Sequence, residues 1–244
     1  MGVTKSQQNN ITSPNGNSLA VFVDGVTGVM KVKDVMGNIQ PLSDFVVGSG
    51  GSPFEYNANA TGIQPILGSN TALGCFSSIG GGNNNTSSGS CSFVGGGVGN
   101  VASAGFGSLV SGGYFNTASN VASVVSGGYC NIASGNTSTV SGGYYNQATG
   151  YFSSIGGGHS NISSGSHSFI GAGDFNTANG CKSFIGGGSL NNASVQFSTI
   201  GGGQSNTASG CFATVGGGCC NTASSCYATV GGGKYNTASS TYAT

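Results

Sequence analysis

Charged side chains are scarce in this sequence. Its 244 residues include five Lys, no Arg and five acidic residues, whereas about one quarter of an ordinary soluble domain is charged. The lack of Arg and the zero net charge argue against the basic surface of a nucleic-acid-binding or anionic-membrane-binding protein. We expect no nucleic-acid partner. So few charges also argue against a lone globule that keeps its whole surface solvated.

Long apolar runs are also missing, because Gly, Ser and Asn interrupt each one. We therefore expect no membrane insertion. Residues 1–19 contain no apolar segment and no small-residue cleavage site, so we expect no secretory leader and folding in the cytoplasm.

Cys211 and Cys226 fall in one column of the repeat described below, but single-rung spacing is marginal for a disulfide. The cysteines follow no spacing of their own, and we interpret all eight as free thiols: Cys75, Cys91, Cys130, Cys181, Cys211, Cys219, Cys220 and Cys226.

Groups that carry catalysis or bind metal are equally scarce. The histidines, His159 and His167, lie at variable positions, and Asp174 is the one acid of the repeat region. Calcium-binding β-rolls have Asp in every copy, whereas only segment 171–174 approaches their pattern here. No nucleophile has a base and an orienting group nearby in sequence. We predict a protein that is not an enzyme and has no cofactor or metal site.

Glycine is abundant, with 49 residues, and an internal repeat contains most of it. From Ile79 onward, an aliphatic residue followed by a small residue and usually two Gly recurs, and nine of the ten steps are fifteen residues long. The step from Val94 to Val110 is sixteen, which we explain by an insertion near Ala104. These aliphatic anchors are the predicted core ladder: Ile79, Val94, Val110, Val125, Val140, Ile155, Ile170, Ile185, Ile200, Val215 and Val230.

An Asn lies six residues after every anchor, and Asn70 extends this series backward by one unit. We expect its members to hydrogen-bond to turn backbone or to their own copies, as in stacked amide ladders. The predicted Asn ladder is Asn70, Asn85, Asn100, Asn116, Asn131, Asn146, Asn161, Asn176, Asn191, Asn206, Asn221 and Asn236.

The residues between these landmarks alternate with the period of a strand. Ser198 and Ile200 fall on one side, and Phe197 and Thr199 on the other. The glycine density excludes a helical repeat, since each interior Gly costs roughly 1 kcal/mol relative to Ala. We predict an all-β fold, a parallel β-roll or β-solenoid of 15-residue rungs. Its glycines supply turns with positive φ or close backbone approach.

One aliphatic residue per rung is a poor core. Ordering one residue costs about 1 to 2 kcal/mol for the backbone, and burying one Val returns roughly 1.5 to 3 kcal/mol. We therefore predict that chains associate along their length, and a parallel homotrimer is the simplest closed ring.

The repeat resembles the head repeats of trimeric autotransporter adhesins of the YadA type. The segments that carry the resemblance are ATGYFSSIGGG (Ala148 to Gly158) and NTASGCFATVGGG (Asn206 to Gly218). It covers residues 70–244 and implies a left-handed parallel β-roll that trimerises along its axis. The family unit is shorter, with fewer Gly, and the family also needs a secretion signal, a coiled-coil stalk and a membrane anchor, which this sequence does not show. Similar NTASG and GGG arrays occur in bacteriophage fibre proteins.

The first part of the chain differs from the repeat, because residues 1–62 hold seven of the ten charges. Ser18–Val23 and Val29–Val35 predict short strands of a hairpin around Asp24-Gly25. We predict three parts: an N-terminal docking or capping module (1–47), a linker and first-rung cap (48–69), and the repeat fibre (70–244). The last unit ends uncapped at Thr244, so we expect the rod to continue or to abut another protein.

Two columns of variable positions are aromatic. Tyr114, Tyr129 and Tyr144 form one, a candidate glycan-binding surface, and Phe197, Phe212, Tyr227 and Tyr242 form the other. The alternative is that such ladders only stabilise the sheet or lie in a subunit interface. Thr–Ser pairs such as Thr207 and Ser209 suggest an ice-binding face. However, other residues interrupt that column: Val101, Ile132, Gln147, Ile162 and Asn192.

These observations together predict a structural fibre of a virus particle, a tail or capsid fibre of a bacteriophage that contributes to host attachment. Its expected partners are its own copies, other virion proteins through the N-terminal module, and a host-surface glycan or receptor. The alternative is a bacterial extracellular adhesin or filament subunit, located at the cell surface.

Overall fold

The computed structural model divides the chain into two compact units, Met1–Ser52 and Pro53–Thr244. It describes four strands of the first unit, and residues 54–56, 63–65, 68–103 and 105–244 of the second. The turn at Asp24-Gly25, residues 48–53 of the predicted linker and the insertion near Ala104 lie outside the described residues.

The described strands of the first unit form one antiparallel sheet in the order β1-β2-β3-β4. They are β1 (Asn9–Thr12), β2 (Ser18–Val23), β3 (Met30–Lys33) and β4 (Ile39–Pro41). The strand predicted at Ser18–Val23 is confirmed with the same bounds, and it pairs with a shorter partner than the predicted Val29–Val35. The docking or capping role of residues 1–47 stays a prediction.

The second unit begins with an antiparallel pair, β5 (Phe54–Tyr56) and β6 (Ile63–Pro65). Ile63 then pairs in parallel with Ser78 of the first full rung. The Gln64 side chain links both sheets of this unit, because its Oε1 accepts a hydrogen bond from the Ala72 amide at 2.5 Å while its Nε2 donates to Glu55 Oε1 at 2.8 Å. The pair therefore covers the N-terminal edge of the sheet that contains Ser78.

The rest of the second unit is a parallel β-solenoid with about 12 turns of about 15 residues, which confirms the predicted fold class at this level. All its described strands have two residues, and each pairs in register with its equivalent one turn away. The 13-stranded sheet, called the valine sheet, holds β5, β6, β8 (Ser78–Ile79), β10 (Phe93–Val94), β12 (Leu109–Val110), β14 (Val124–Val125), β16 (Thr139–Val140), β18 (Ser154–Ile155), β20 (Phe169–Ile170), β22 (Phe184–Ile185), β24 (Thr199–Ile200), β26 (Thr214–Val215) and β28 (Thr229–Val230). The 12-stranded sheet, called the alanine sheet, holds β7 (Thr71–Ala72), β9 (Thr86–Ser87), β11 (Val101–Ala102), β13 (Thr117–Ala118), β15 (Ile132–Ala133), β17 (Gln147–Ala148), β19 (Ile162–Ser163), β21 (Thr177–Ala178), β23 (Asn192–Ala193), β25 (Thr207–Ala208), β27 (Thr222–Ala223) and β29 (Thr237–Ala238).

The solenoid core is a thin column between the two sheets. Every predicted anchor is buried, and so is every alanine of the alanine sheet. Ser198 and Ile200 are buried while Phe197 and Thr199 are partly exposed, as the alternation predicts. The core positions other than the anchor hold Ala, Ser and Asn, because the narrow space between the two sheets admits only small side chains there. Handedness and the homotrimer stay predictions.

The Asn ladder runs through this core, and it makes both kinds of predicted contact. Asn161 Nδ2 donates to Asn146 Oδ1 at 3.0 Å and to two turn carbonyls, Gly157 O at 3.0 Å and Gly173 O at 2.6 Å. Its Oδ1 accepts from the backbone and side-chain amides of Asn176, at 3.0 and 3.1 Å. Asn161 thus satisfies the Gly157 carbonyl of its own turn and the Asn176 backbone amide of the next turn, two groups that need partners when buried, and it also reaches the Asn146 side chain of the preceding turn.

Replacing one ladder residue should unfold the stack locally. Asn161→Ala leaves the Asn176 backbone amide and the Gly157 carbonyl without a partner, at about 1 to 3 kcal/mol for each buried group, while the Gly173 carbonyl keeps its hydrogen bond from the His159 amide. We expect a loss of about 3 kcal/mol or more in urea unfolding and faster hydrogen exchange at the Asn176 amide. The control is Asn179→Ala, whose exposed Oδ1 accepts only from Ser164 Oγ. Equal stability of the two variants would contradict the role of the ladder.

The third residue of each Gly-rich turn is a glycine with the positive φ that the sequence predicts. In Gly203 φ is +91°, and a Cβ there would collide with the carbonyl oxygen of Gly218 on the next turn. Gly202 beside it differs, because a Cβ there would meet only Gly217 O at 3.9 Å. The backbone therefore requires glycine at position 203, whereas position 202 has room for a Cβ.

A matched pair of substitutions separates these two glycines. Gly203→Ala should cost about 2 kcal/mol or more, since the strained φ and the collision add. Gly202→Ala should change the free energy of unfolding by less than about 0.5 kcal/mol. Chemical denaturation of both variants measures the difference, and similar midpoints would show that the turn tolerates a side chain at either place.

Candidate binding surface

Each turn of the solenoid has two corners at which the backbone adopts positive φ, and at nearly all of them the residue is not Gly; the exceptions are Gly99 and Gly107. Such non-Gly residues are uncommon, because the Cβ crowds the backbone in this region. Here the corner amide is held by the preceding turn: the amide of Phe212, for example, donates to Gln196 O at 3.1 Å. The first corner column contains Phe76, Cys91, Ala122, Thr137, Phe152, His167, Lys182, Phe197, Phe212, Tyr227 and Tyr242. The second contains Ser69, Asn84, Phe115, Cys130, Tyr145, Ser160, Phe175, Leu190, Ser205, Cys220 and Tyr235.

The corner conformation brings the side chains of consecutive residues together. In an extended strand, successive side chains point to opposite faces. At the corners they meet instead: the Tyr144 and Tyr145 rings lie 4.5 Å apart, and the Tyr151 and Phe152 rings 4.4 Å apart, both edge to face. Clusters two columns wide therefore form along the corners.

Tyr114, Tyr129 and Tyr144, the candidate glycan-binding residues, lie in one column beside the second corner. They are joined by parallel bridges, and the same column continues to His159 and Asp174. The Tyr129 and Tyr144 rings stack with centroids 4.9 Å apart and planes at 14°. The structure thus brings all three tyrosines together as the sequence predicts; their binding role stays a prediction.

Residues of the second corner extend this cluster. Phe115 meets the edge of Tyr129, Tyr145 contacts both Tyr129 and Tyr144, and Phe175 contacts His159. Sequence reasoning missed them because strand alternation assigns neighbouring residues to opposite faces. The doublets Tyr114-Phe115 and Tyr144-Tyr145, repeated at one place in the unit, were the available signal.

A thiol sets the electrostatics of the cluster. Negative charge on Cys130 raises the pKa of Tyr145 to about 12, with Tyr144 and a hydrogen bond to Cys130 acting in the same direction. The pKa of Tyr129 is raised as well, and Cys130 is again the main cause. Both phenols therefore stay neutral hydrogen-bonding groups well above neutral pH.

The stacking limits what the tyrosine column can bind. Tyr129 stacks on Tyr144 and meets Phe115 and Tyr145 edge to face, and Tyr144 has His159 as a further ring neighbour at 5.3 Å. Ring faces that cover one another are not available to a sugar ring. This geometry favours the stabilising interpretation of the ladder, in which cross-strand aromatic pairs contribute about 0.2 to 1 kcal/mol each.

The second predicted aromatic column is confirmed at the first corner. The rings of Phe197, Phe212, Tyr227 and Tyr242 stack with centroid distances of 4.6, 5.0 and 5.1 Å. The Lys182 ammonium lies 5.2 Å from the Phe197 centroid, within range of a cation–π contact. This column is therefore another stabilised stack that leaves ring edges toward the solvent.

The Thr–Ser pairs of the proposed ice-binding face lie on the outer side of the alanine sheet. Thr207 and Ser209 are partly exposed, while Asn206 and Ala208, which alternate with them, are buried. Apolar or longer side chains interrupt the column on the same outer face, among them Val101, Ile132 and Gln147. The hydroxyl rows are therefore short.

Metal-binding clusters do not form among the described residues. His159 and His167 lie in different columns, and the structure shows no cluster of three or more His, Cys, Asp or Glu side chains in the described part of the chain. All eight cysteines are free thiols, as predicted. The described residues include no helix that could reach across a bilayer.

Comparison with known proteins gives no relative: no family profile matches the chain, and no curated protein matches it.

The Cys130 thiol provides a direct test of the cluster. Between pH 10 and 12 the unfolded chain ionises Tyr145 while the folded chain keeps it neutral, so folding stability should fall as the pH rises through this interval. Cys130→Ser should move the Tyr145 titration down toward pH 10, because the main cause of the raised pKa is gone. The titration of Tyr145 is the difference in phenolate absorbance between each protein, wild type or Cys130→Ser, and the same protein with Tyr145→Phe. An unchanged titration after Cys130→Ser would contradict the proposed contact.

Proposed function

We propose that the chain is the subunit of a structural fibre on a virus particle, a bacteriophage tail or capsid fibre. The observation that carries this proposal is the unbroken register of equivalent turns from Thr71 to Ala238. Parallel strands stack about 4.8 Å apart, so twelve turns give a spacer on the order of 55 Å long. A repetitive stack of this kind supplies length and stiffness.

Self-association along the stack is the second part of the proposal. Phe93, Phe169 and Phe184 lie on the outer face of the valine sheet with 39 to 41% of their surface exposed. Leu109 and Val124 extend the same face and are partly exposed. A thin core leaves each turn dependent on further burial, and a parallel homotrimer would supply it by covering this face with two other copies.

The assignment to a virus particle is supported by the likeness of the repeat to phage fibre arrays. In this proposal residues 1–47 join the fibre to other virion proteins, and the free surface of the rod contacts the host, where a glycan or receptor is the expected ligand. A bacterial surface adhesin would use the same rod at a different location.

Oligomeric mass tests the association. Sedimentation of the full chain should give three times the chain mass. Phe169→Ser with Phe184→Ser should shift the assembly toward monomer, since each buried Phe contributes roughly 1.5 to 3 kcal/mol. Phe212→Ser with Tyr227→Ser removes equally exposed rings from the first corner and is the control. A stable wild-type monomer would overturn the trimer, and equal effects of both double variants would exclude the valine sheet as its interface.

Location needs a separate measurement. Gold-labelled antibody against residues 70–244 should decorate fibres on virus particles in electron micrographs. Label confined to bacterial cell surfaces would instead establish the adhesin.

A further inference from the structure

Two cysteines near the end of the solenoid have their sulfur atoms in contact. Cys219 Sγ and Cys220 Sγ lie 3.0 Å apart, and both residues are partly exposed. Cys211 and Cys226, which share a column on adjacent turns, show no such contact among the described hydrogen bonds. Proximity in the repeat alone therefore does not bring sulfur atoms together.

The corner backbone explains the contact. Cys219 belongs to the outward column that contains Tyr144, and Cys220 follows it with a φ of +59°. This is the arrangement that brings Tyr144 and Tyr145 together, so both thiols project on the same side. The backbone is held from both directions, because the Cys219 amide donates to Gly233 O and the Cys220 amide to Gln204 O, each at 2.9 Å.

The two thiols also influence each other electrostatically. The hydrogen bond with Cys220 raises the pKa of the Cys219 thiol, burial and negative charge on Cys220 act in the same direction, and the Lys234 ammonium on the next turn opposes them. The neighbouring positions of the same column hold Gln204 and Lys234. The dithiol therefore has no acidic neighbour in its own column on the adjacent turns.

We propose that Cys219 and Cys220 are a modification site that closes to a vicinal disulfide by exchange with a low-molecular-weight disulfide. One thiolate attacks the small disulfide, forms a mixed disulfide and releases one small thiolate. The second cysteine then attacks the protein sulfur of the mixed disulfide, closes the ring and releases the other small thiolate. Two cysteines are oxidised, one small disulfide is reduced to two thiols, and the two cysteine protons pass to the released thiolates.

The geometry also sets the stability of the product. Forming the bond requires the sulfur atoms to approach by about 1 Å, to the usual 2.0 Å or so. The Cα atoms of consecutive residues are fixed about 3.8 Å apart by the trans peptide, below the usual range of about 4.4 to 6.8 Å for disulfides. Such a bond is strained and easily reduced, so the site is a reversible one. This inference does not depend on the proposed fibre function.

Mass spectrometry of the wild-type chain tests the proposal. The reduced protein is incubated with oxidised and reduced glutathione, free thiols are alkylated, and the chain is unfolded and cleaved with chymotrypsin. The peptide from Ala213 to Tyr227 contains the pair and Cys226. We expect this peptide to have one alkyl group, on Cys226, and none on Cys219 or Cys220. Its mass should be about 2 Da lower than that of the same singly alkylated peptide with Cys219 and Cys220 as free thiols. A reducing agent should restore two alkylation sites.

A second experiment compares Cys219 and Cys220 with another pair of cysteines as a matched control. One full-length variant keeps only Cys219 and Cys220, and another keeps only Cys211 and Cys226, with Ser at the other six positions in each. The first variant should lose both alkylation sites in the glutathione buffer, and the second should not. Two alkylated thiols, two glutathione adducts or a disulfide-linked dimer at Cys219 and Cys220 would each overturn the proposal.

Discussion

The hydrogen bonds of the buried Asn ladder are the constraint on which the solenoid depends. Each ladder amide links three successive turns, so an Asn must lie above an Asn for every turn to satisfy its backbone. This requirement fixes the register of the stack. Between Val94 and Val110 the chain has one extra residue, yet the two anchors still pair and the Asn116 amide still donates to Asn100 Oδ1 at 3.0 Å. The extra residue is accommodated between the ladder positions.

A register held by polar contacts explains why the apolar core can be so thin. Anchor, Ala and Ser side chains fill the space between the two sheets, but similar apolar residues at shifted positions would pack almost as well. Hydrogen-bond directionality distinguishes the correct register from its neighbours, whereas apolar contact is non-directional. The stack thus gains specificity from asparagine, while further burial remains available on the outer face of the valine sheet.

The corners give the rod a surface that varies independently of its core. Positive φ at the corners turns the variable side chains outward, so Phe, Tyr, Lys, His and Cys replace one another there without disturbing the ladder. Adjacent columns then meet, which produces the aromatic cluster around Tyr129 and Tyr144 and the dithiol of Cys219 and Cys220. The same backbone geometry accounts for a stack of aromatic rings at one place and a contact between two thiols at another.

The periodicity of the sequence determined the anchors, the Asn ladder and the parallel stack, because a residue that recurs every fifteen positions must meet its own copy in a coil of that length. Strand alternation likewise placed Ser198 and Ile200 inside and Phe197 outside. Only the tertiary structure decided that Tyr145, Phe115 and Cys220 join the columns beside them, and that Gln64 bridges the first turns. Those contacts depend on backbone conformations held by neighbouring turns, and strand alternation places the corner residues on the opposite face from the residues that they contact.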